Sequence, residues 1–176
     1  MNLFFGKLNI DQVPYHNPII MGAGVMMAFI ALFIVGYLTV KKKWGYIFTE
    51  WVSTIDHKKI GIMYVILAVV MLLRGFVDAM LMRMWQSHLG LLPAHFFPPE
   101  HFGEVFTAHG VIMIFFVAMP LLFGLFNIAV PLQIGARDVA YPYLNSLSFW
   151  LTFVGAMLVN ISLIVGKFAS YGWLSY

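Results

Sequence analysis

Long, largely uncharged stretches alternate with short polar segments along this chain. The apolar runs predict four membrane-spanning helices, at about 17–40, 60–85, 104–130 and 144–166. Each run is longer than the roughly 20 residues that cross a bilayer as a helix. Helix is the expected conformation because lipid offers backbone N–H and C=O groups no hydrogen-bond partner. The pattern therefore predicts an all-α fold, a polytopic transmembrane helix bundle.

The composition agrees with a membrane protein. Of the 176 residues, 62% are hydrophobic and 10% are charged, whereas about a quarter of the residues in a soluble domain are charged. These proportions argue against a water-soluble enzyme, a disordered tail and a nucleic-acid-binding protein. The chain has no Cys, which excludes a disulfide, a thiolate metal site and a Cys nucleophile. The first apolar run starts late and lacks an Ala-x-Ala end, so we expect a retained membrane anchor rather than a removable signal peptide.

Lysines are concentrated in one loop between predicted helices. Five lysines lie at about 41–59, whereas the loop at about 86–103 has neither Lys nor Arg. Because short cytoplasmic loops of membrane proteins are enriched in Lys and Arg, the first loop is predicted to be cytoplasmic and the N-terminus to lie outside. His101 and Glu104 then lie at the outer face, and Asp138 lies on the cytoplasmic side.

Three ionisable residues, Arg74, Asp78 and Arg83, lie inside the second predicted span. A charged side chain at the membrane centre costs about 2.5–3.5 kcal/mol on insertion scales, so such residues are informative. Arg74 and Asp78 are four residues apart and can pair on one helix face. One interpretation is a neutralising ion pair that packs against neighbouring helices. The other is a quinone or quinol site, in which Asp78 accepts from a hydroxyl and Arg74 donates to a carbonyl.

His109 lies near the start of the third predicted span and precedes a long apolar run. A neutral imidazole is a good axial ligand for haem iron. The alternative is an imidazole that packs within the helix bundle and is satisfied by a hydrogen bond. Gly110 favours the haem interpretation because it leaves room for a flat macrocycle.

Polar residues lie at the cytoplasmic ends of the third and fourth spans. Asn127 follows His109 by eighteen residues, which is five helical turns, so the two side chains are predicted to share a helix face. Together with Asp138 and Asn145, Asn127 could line a water-filled path for proton uptake. Alternatively, both Asn residues cap helix ends and Asp138 pairs with Arg137 in solvent.

Three segments resemble subunit I of the haem-copper respiratory oxidases: Ser53–Gly61, Thr107–Phe116 and Val130–Asp138. The resemblance extends from about residue 50 to the end of the chain. Within that superfamily, Leu73–Ala79 and the additional first helix resemble the ubiquinol oxidases of the cytochrome bo type rather than the cytochrome c oxidases.

The resemblance assigns roles to particular residues. His109 would be one axial ligand of the low-spin haem b. Glu104 stands where the bo-type quinol site usually has Gln, so a carboxylate there would be a further proton acceptor or would change the quinone preference. The residues implied for quinol binding are Arg74, Asp78, His101 and Glu104. The residues implied for the mouth of the proton-uptake path are Asn127, Asp138 and Asn145.

The resemblance also implies what the complete protein contains. In the family, later helices carry the second haem b ligand and the ligands of the high-spin haem and copper. Residues 1–176 are therefore expected to be the N-terminal part of a truncated or split subunit I, inactive alone. Its expected partners are the remaining helices of subunit I, other oxidase subunits, membrane quinol and the lipid bilayer, but no nucleic acid. His16, His88 and His95 are predicted to lie outside the hydrocarbon and not to act as ligands.

The function implied is that of a proton-pumping terminal oxidase in the bacterial inner membrane. The intact protein would oxidise quinol at the outer face, pass electrons through haem b to a haem-copper centre, and reduce oxygen to water. Protons would enter from the cytoplasm through Asp138. Ubiquinol and menaquinol both remain open as donors. The alternatives are a cytochrome c oxidase subunit I and, from another class, a non-catalytic membrane scaffold or anchor module.

Overall fold

The structure is a computed structural model that describes residues 25, 29, 32–87, 99–165, 171, 172 and 174. Within these ranges every regular element is a helix, as predicted. The two π-helical segments are Phe48–Val52 and Ile112–Ala118. The α-helices are α1 at 32–40, α2 at Trp44–Ile47, α3 at His57–Ser87, α4 at Pro99–Val111, α5 at Met119–Gln133 and α6 at Pro142–Val165.

The described residues from Val25 to Thr54 belong to a unit of their own. In it, α1 ends at the triple lysine, where Lys42 has a left-handed backbone conformation with a φ of 51°. The indole Nε1 of Trp44 donates to Thr39 Oγ1 at 3.1 Å, which connects α2 to the last turn of α1. The break between α1 and α2 therefore coincides with the lysines that the sequence assigns to a loop.

Three helices among the described residues are long and apolar enough to cross a membrane: His57–Gln86, His101–Gln133 and Pro142–Ile161. They correspond to the second, third and fourth predicted spans. The predicted first span, 17–40, lies mostly outside the described residues, although its last part, 32–40, is helical. Of the four predicted spans, three are therefore present in the part of the chain that the structure describes. The predicted loop at about 86–103 lies mostly outside the described residues. His16, His88 and His95 also lie outside them.

The third span is one continuous helix that changes form in its middle. α4 passes through π-helical Ile112–Ala118 into α5, and the backbone of Ala118 and Met119 stays right-handed helical at the second junction. Pro120 follows this junction directly. Proline has no N–H to donate and its ring crowds the preceding turn, so an ordinary α-helix would kink or end there. The wider π turn relieves this crowding and lets the helix continue through the membrane.

Small residues bring α3 and α5 into backbone contact. A Cβ added to Gly61 would lie 2.8 Å from the carbonyl oxygen of Gly124, and one added to Gly124 would lie 2.8 Å from that of Gly61. Helices in membranes pack closely where such residues face each other. The pair fixes the antiparallel register of α3 and α5, so the start of α3 lies beside the end of the third span.

The buried core of the unit from Ile55 onward lies between α3, the π segment and α6. Tyr64 of α3 meets Phe149 of α6 edge to face, with ring centroids 5.1 Å apart. Many apolar side chains on the same helices remain exposed, for example Leu73 and Leu151. An apolar outer surface is expected of helices that face lipid or further transmembrane helices. The remaining core members are Ile60, Leu67, Met71, Ile112, Val117 and Ala156.

Candidate functional site

The ion pair predicted in the second span is present on α3. The guanidinium of Arg74 donates to the Oδ1 atom of Asp78. The residue Asp78 is only 1% exposed, whereas the Arg74 side chain is 31% exposed. The second carboxylate oxygen of Asp78, Oδ2, is buried without a hydrogen-bond partner among the described residues. A buried, unsatisfied carboxylate oxygen is costly in a membrane, and Oδ2 is therefore available to accept a further hydrogen bond.

His109 is held against α3 by a hydrogen bond. Its Nδ1 lies 3.0 Å from the backbone carbonyl oxygen of Gly75. Because a carbonyl oxygen only accepts, Nδ1 must carry the hydrogen and donate, which leaves Nε2 of the neutral ring with a free lone pair. Histidines that bind metals almost always use their other nitrogen in this way. The geometry satisfies the packing interpretation and also fits an axial haem ligand, because the nitrogen that would bind iron is not the one used for packing.

Gly75 allows the third span to come this close to α3. A Cβ at this position would lie 2.7 Å from the Sδ atom of Met113 and 3.5 Å from Ile112. Gly75 also follows Arg74 directly and lies three residues before Asp78. One turn of α3 therefore carries the ion pair and the carbonyl that orients His109.

His101 and Glu104 form a second polar pair, in one turn of α4. The Nδ1 of His101 is 2.9 Å from Glu104 Oε2, and Glu104 is buried. The rings of Trp85 and Phe102 pack against each other across the α3–α4 contact, with centroids 4.4 Å apart and ring planes inclined by 30°. Because Phe102 lies at the level of Trp85, the second pair is displaced from Asp78 toward the end of α3 by roughly one to two helical turns.

The predicted proton-uptake residue Asp138 is bonded to a residue that sequence reasoning passed over. Its Oδ1 atom lies 3.1 Å from Nδ1 of His57 and accepts the backbone N–H of Val139 at 2.8 Å. His57 begins α3 and is 2% exposed. In the sequence it lies among Asp56, Lys58 and Lys59 and looks like part of a solvated loop. The signal that could have identified it is its place three residues before the apolar run that begins at Ile60.

Asn127 and His109 both face α3, as the five-turn spacing predicts. The Cβ of Asn127 would lie 3.3 Å from a Cβ on Gly61, and His109 bonds to the same helix. The agreement holds although the π segment between them has wider turns than the 3.6-residue period assumes. The amide of Asn127 donates to Phe123 O at 2.9 Å, one turn earlier in α5, so Asn127 does not cap a helix end.

Asn145 lies in the first turn of α6, just beyond the loop that carries Asp138. Its Nδ2 is buried without a hydrogen-bond partner among the residues that the structure describes. One turn further, the hydroxyl of Ser148 donates to the carbonyl of Asn145 at 2.7 Å and lies 2.9 Å from the hydroxyl of Tyr64 on α3. Tyr64 and Ser148 were missed from the sequence. The signal for them is a polar residue every three to four positions, which indicates a polar face of α6: Asn145, Ser148 and Thr152.

Comparison with known proteins gives the family. Residues 59–176, more than half of the chain, match the family described as cytochrome c and quinol oxidase polypeptide I. The chain belongs to this oxidase family. Membership confirms the resemblance to subunit I of the haem-copper oxidases and implies haem and copper in the complete subunit. It also indicates a membrane-bound, multi-pass protein.

Several curated relatives of the oxidase family align with almost the whole chain. The cytochrome bo(3) ubiquinol oxidase subunit 1 of Buchnera aphidicola subsp. Acyrthosiphon pisum is 58% identical over 98% of the chain and 26% of its own length. The quinol oxidase subunit 1 of Bacillus subtilis is 54% identical over 91% of the chain and 24% of its own length. A probable cytochrome c oxidase subunit 1 of Bradyrhizobium diazoefficiens is 50% identical over 97% of the chain and 26% of its own length. The chain thus spans about a quarter of the length of the relatives it matches.

Proposed function

We propose that this chain is the quinol-binding, N-terminal part of a proton-pumping terminal oxidase that reduces oxygen to water. The observation that carries the proposal is the Arg74–Asp78 pair, which lies inside a membrane-length helix and keeps Asp78 Oδ2 buried without a partner among the described residues. A structural ion pair gains nothing from a buried oxygen that lacks a donor. A site for a lipid-soluble hydroxyl compound needs an oxygen left over.

The chemistry of quinol oxidation matches this pair. Oxidation removes the hydroxyl hydrogens of the quinol as protons, so a nearby carboxylate must accept them. Asp78 supplies that acceptor through Oδ2, and the half-buried guanidinium of Arg74 donates to the oxygen of the ring that becomes a carbonyl. His101 and Glu104, toward the outer end of the same helix pair, take the proton onward.

His109 is the residue that would hold haem b, through Nε2. When bound, the haem supplies reversible one-electron transfer. The Gly75 carbonyl keeps His109 in the required tautomer and stands in the same turn of α3 as the quinol-binding pair. The second ligand of this haem, the high-spin haem and the copper would be held by the remaining helices of subunit I.

Protons would be taken up at the opposite end of the bundle. Asp138 lies in the loop between α5 and α6, which the lysine distribution assigns to the cytoplasm, and Asn127 and Asn145 lie on the two helices that the loop joins. Tyr64 and Ser148 continue the polar track between α3 and α6. With this orientation the N-terminus lies outside and quinol is oxidised at the outer face of the bacterial inner membrane.

A cytochrome c oxidase is the second candidate, because one relative at 50% identity carries that name. Oxygen uptake in membranes that contain the complete subunit, measured with quinol and with reduced cytochrome c, distinguishes the two. We expect uptake with ubiquinol or menaquinol and none with cytochrome c. Uptake with cytochrome c alone would refute the quinol assignment. A non-catalytic scaffold would give neither activity and no haem absorption in a reduced-minus-oxidised spectrum.

A further inference from the structure

The loop that carries Asp138 is joined to the start of α3 by one side-chain contact. His57 Nδ1 and Asp138 Oδ1 are 3.1 Å apart, although the residues are 81 positions apart in the sequence. The His57 side chain is 3% exposed, whereas that of Asp138 is 37% exposed. A buried, rigidly packed group thus holds a partly solvated carboxylate.

Hydrogen-bond chemistry fixes the direction of this contact. A carboxylate oxygen only accepts, so His57 Nδ1 carries the hydrogen and donates. The backbone N–H of Val139 donates to the same Oδ1 atom at 2.8 Å. Both hydrogen bonds therefore fall on Oδ1, which leaves Oδ2 as the oxygen that can take up a proton from water. His57 also has another carboxylate nearby, since Asp56 Oδ1 lies 3.9 Å from the same Nδ1, but that distance is too long for a hydrogen bond.

The other ring nitrogen of His57 is also informative. Nε2 is buried and has no hydrogen-bond partner among the described residues. An unsatisfied buried polar atom reduces stability, so packing alone does not explain a histidine here. An apolar residue of similar size would fill the space without that cost.

We propose that His57 is a positioning residue for proton uptake: it holds Asp138 by Oδ1 so that Oδ2 faces the cytoplasmic water. This inference rests on the proposed role of Asp138 as the proton-uptake residue. Without the Nδ1–H donor, the Asp138 side chain keeps only the hydrogen bond from Val139 N–H, and its carboxylate spends less time in the position from which protons pass toward Asn127 and Asn145.

The test compares three substitutions in the complete oxidase. In His57→Asn the side-chain amide nitrogen takes the place of Nδ1 and can still donate, whereas in His57→Gln it takes the place of Nε2, and His57→Ala has no donor. We expect His57→Ala and His57→Gln to slow proton uptake and quinol-driven oxygen consumption roughly tenfold, as misplaced catalytic groups do. His57→Asn should restore both rates to within about threefold of the parent enzyme.

Controls separate this inference from the function on which it rests. The haem absorption spectrum should be the same in all three variants, which shows that the bundle is assembled. Adding Asp138→Asn to His57→Ala should slow uptake no more than Asp138→Asn alone, because the two residues act as one unit. Normal uptake in His57→Ala, or equal rates in the Asn and Gln variants, would overturn the positioning role. Normal uptake in Asp138→Asn alone would instead overturn the proposed uptake site.

Discussion

The carbonyl oxygen of Gly75 accepts a hydrogen bond from Nδ1 of His109, at 3.0 Å. This bond joins two features that the sequence suggests separately, a haem ligand on α4 and an ion pair on α3. Because Gly75 lies between Arg74 and Asp78 in the sequence, the residue expected to hold the electron-accepting haem is oriented by the turn expected to bind the electron donor. The first two predictions test the two sides of this contact.

Replacing His109 should abolish low-spin haem binding. The His109→Ala substitution removes Nε2, the nitrogen with the free lone pair, so the complete subunit should lose the low-spin haem band in a reduced-minus-oxidised optical spectrum. His101→Ala is the matched control on the same helix, because Nδ1 of His101 pairs with Glu104. It should keep the band. An unchanged spectrum in His109→Ala would show that the ligand assignment is wrong.

Asp78→Asn should impair quinol oxidation far more than haem content. The amide oxygen of Asn can still accept from Arg74, so the contact on α3 survives, but no carboxylate remains to take the quinol proton. Loss of a positioned proton acceptor typically costs on the order of 100-fold or more in rate. Steady-state quinol oxidation and haem content, measured on the same membranes, check this. A variant with normal quinol turnover would contradict the proposed site and favour a structural ion pair.

The spans were predictable because length and apolarity alone determine them. A predominantly apolar run of more than about 20 residues has one stable conformation in lipid, and α3, the third span and α6 follow from that. The π segment was not predictable, because it depends on how the helix accommodates Pro120. The close contact of Gly61 with Gly124 was not predictable either, since glycines in apolar runs are common and only packing selects the pair that meets.

The contacts of the candidate site were also predictable only in part from the sequence. Arg74 and Asp78 were predicted to pair because residues four apart on a helix are neighbours. The pairing of His101 with Glu104 is equally local, three residues apart. The His57–Asp138 and Tyr64–Ser148 contacts span more than 80 residues, so no local period reveals them. Their partners become visible only when the register of α3 against the later helices is known.

Glu104→Gln should leave quinol affinity almost unchanged, whereas Glu104→Ala should weaken it. Gln is the usual residue of bo-type quinol sites, and its side-chain oxygen can accept from His101 Nδ1 as Glu104 does. Ala leaves His101 without this partner and opens a space in a buried position. We expect the KM for quinol to change less than about threefold in the Gln variant and to rise roughly tenfold in the Ala variant, since a lost hydrogen bond to a charged group costs about 1.5–3 kcal/mol. Equal KM values in the two variants would show that the His101 contact plays no part in binding.

Gly61→Ala should destabilise the subunit, because the added methyl group meets the backbone of α5 as well as a side chain. Its Cβ would lie 2.8 Å from the Gly124 carbonyl oxygen and 2.7 Å from Cγ1 of Ile128. A backbone carbonyl in a membrane helix cannot move aside, so α3 and α5 must separate, at a cost of about 1–3 kcal/mol.

Gly45→Ala is the matched control, because nothing lies within 4 Å of a Cβ built at that position. Thermal inactivation of the complete oxidase in membranes measures the difference. Gly61→Ala should inactivate at a lower temperature than the parent enzyme, and Gly45→Ala should inactivate at the parent temperature. If both variants inactivated at the parent temperature, α3 and α5 would not be in backbone contact at Gly61 and Gly124. The main evidence for the helix register that brings His57 to Asp138 would then be lost.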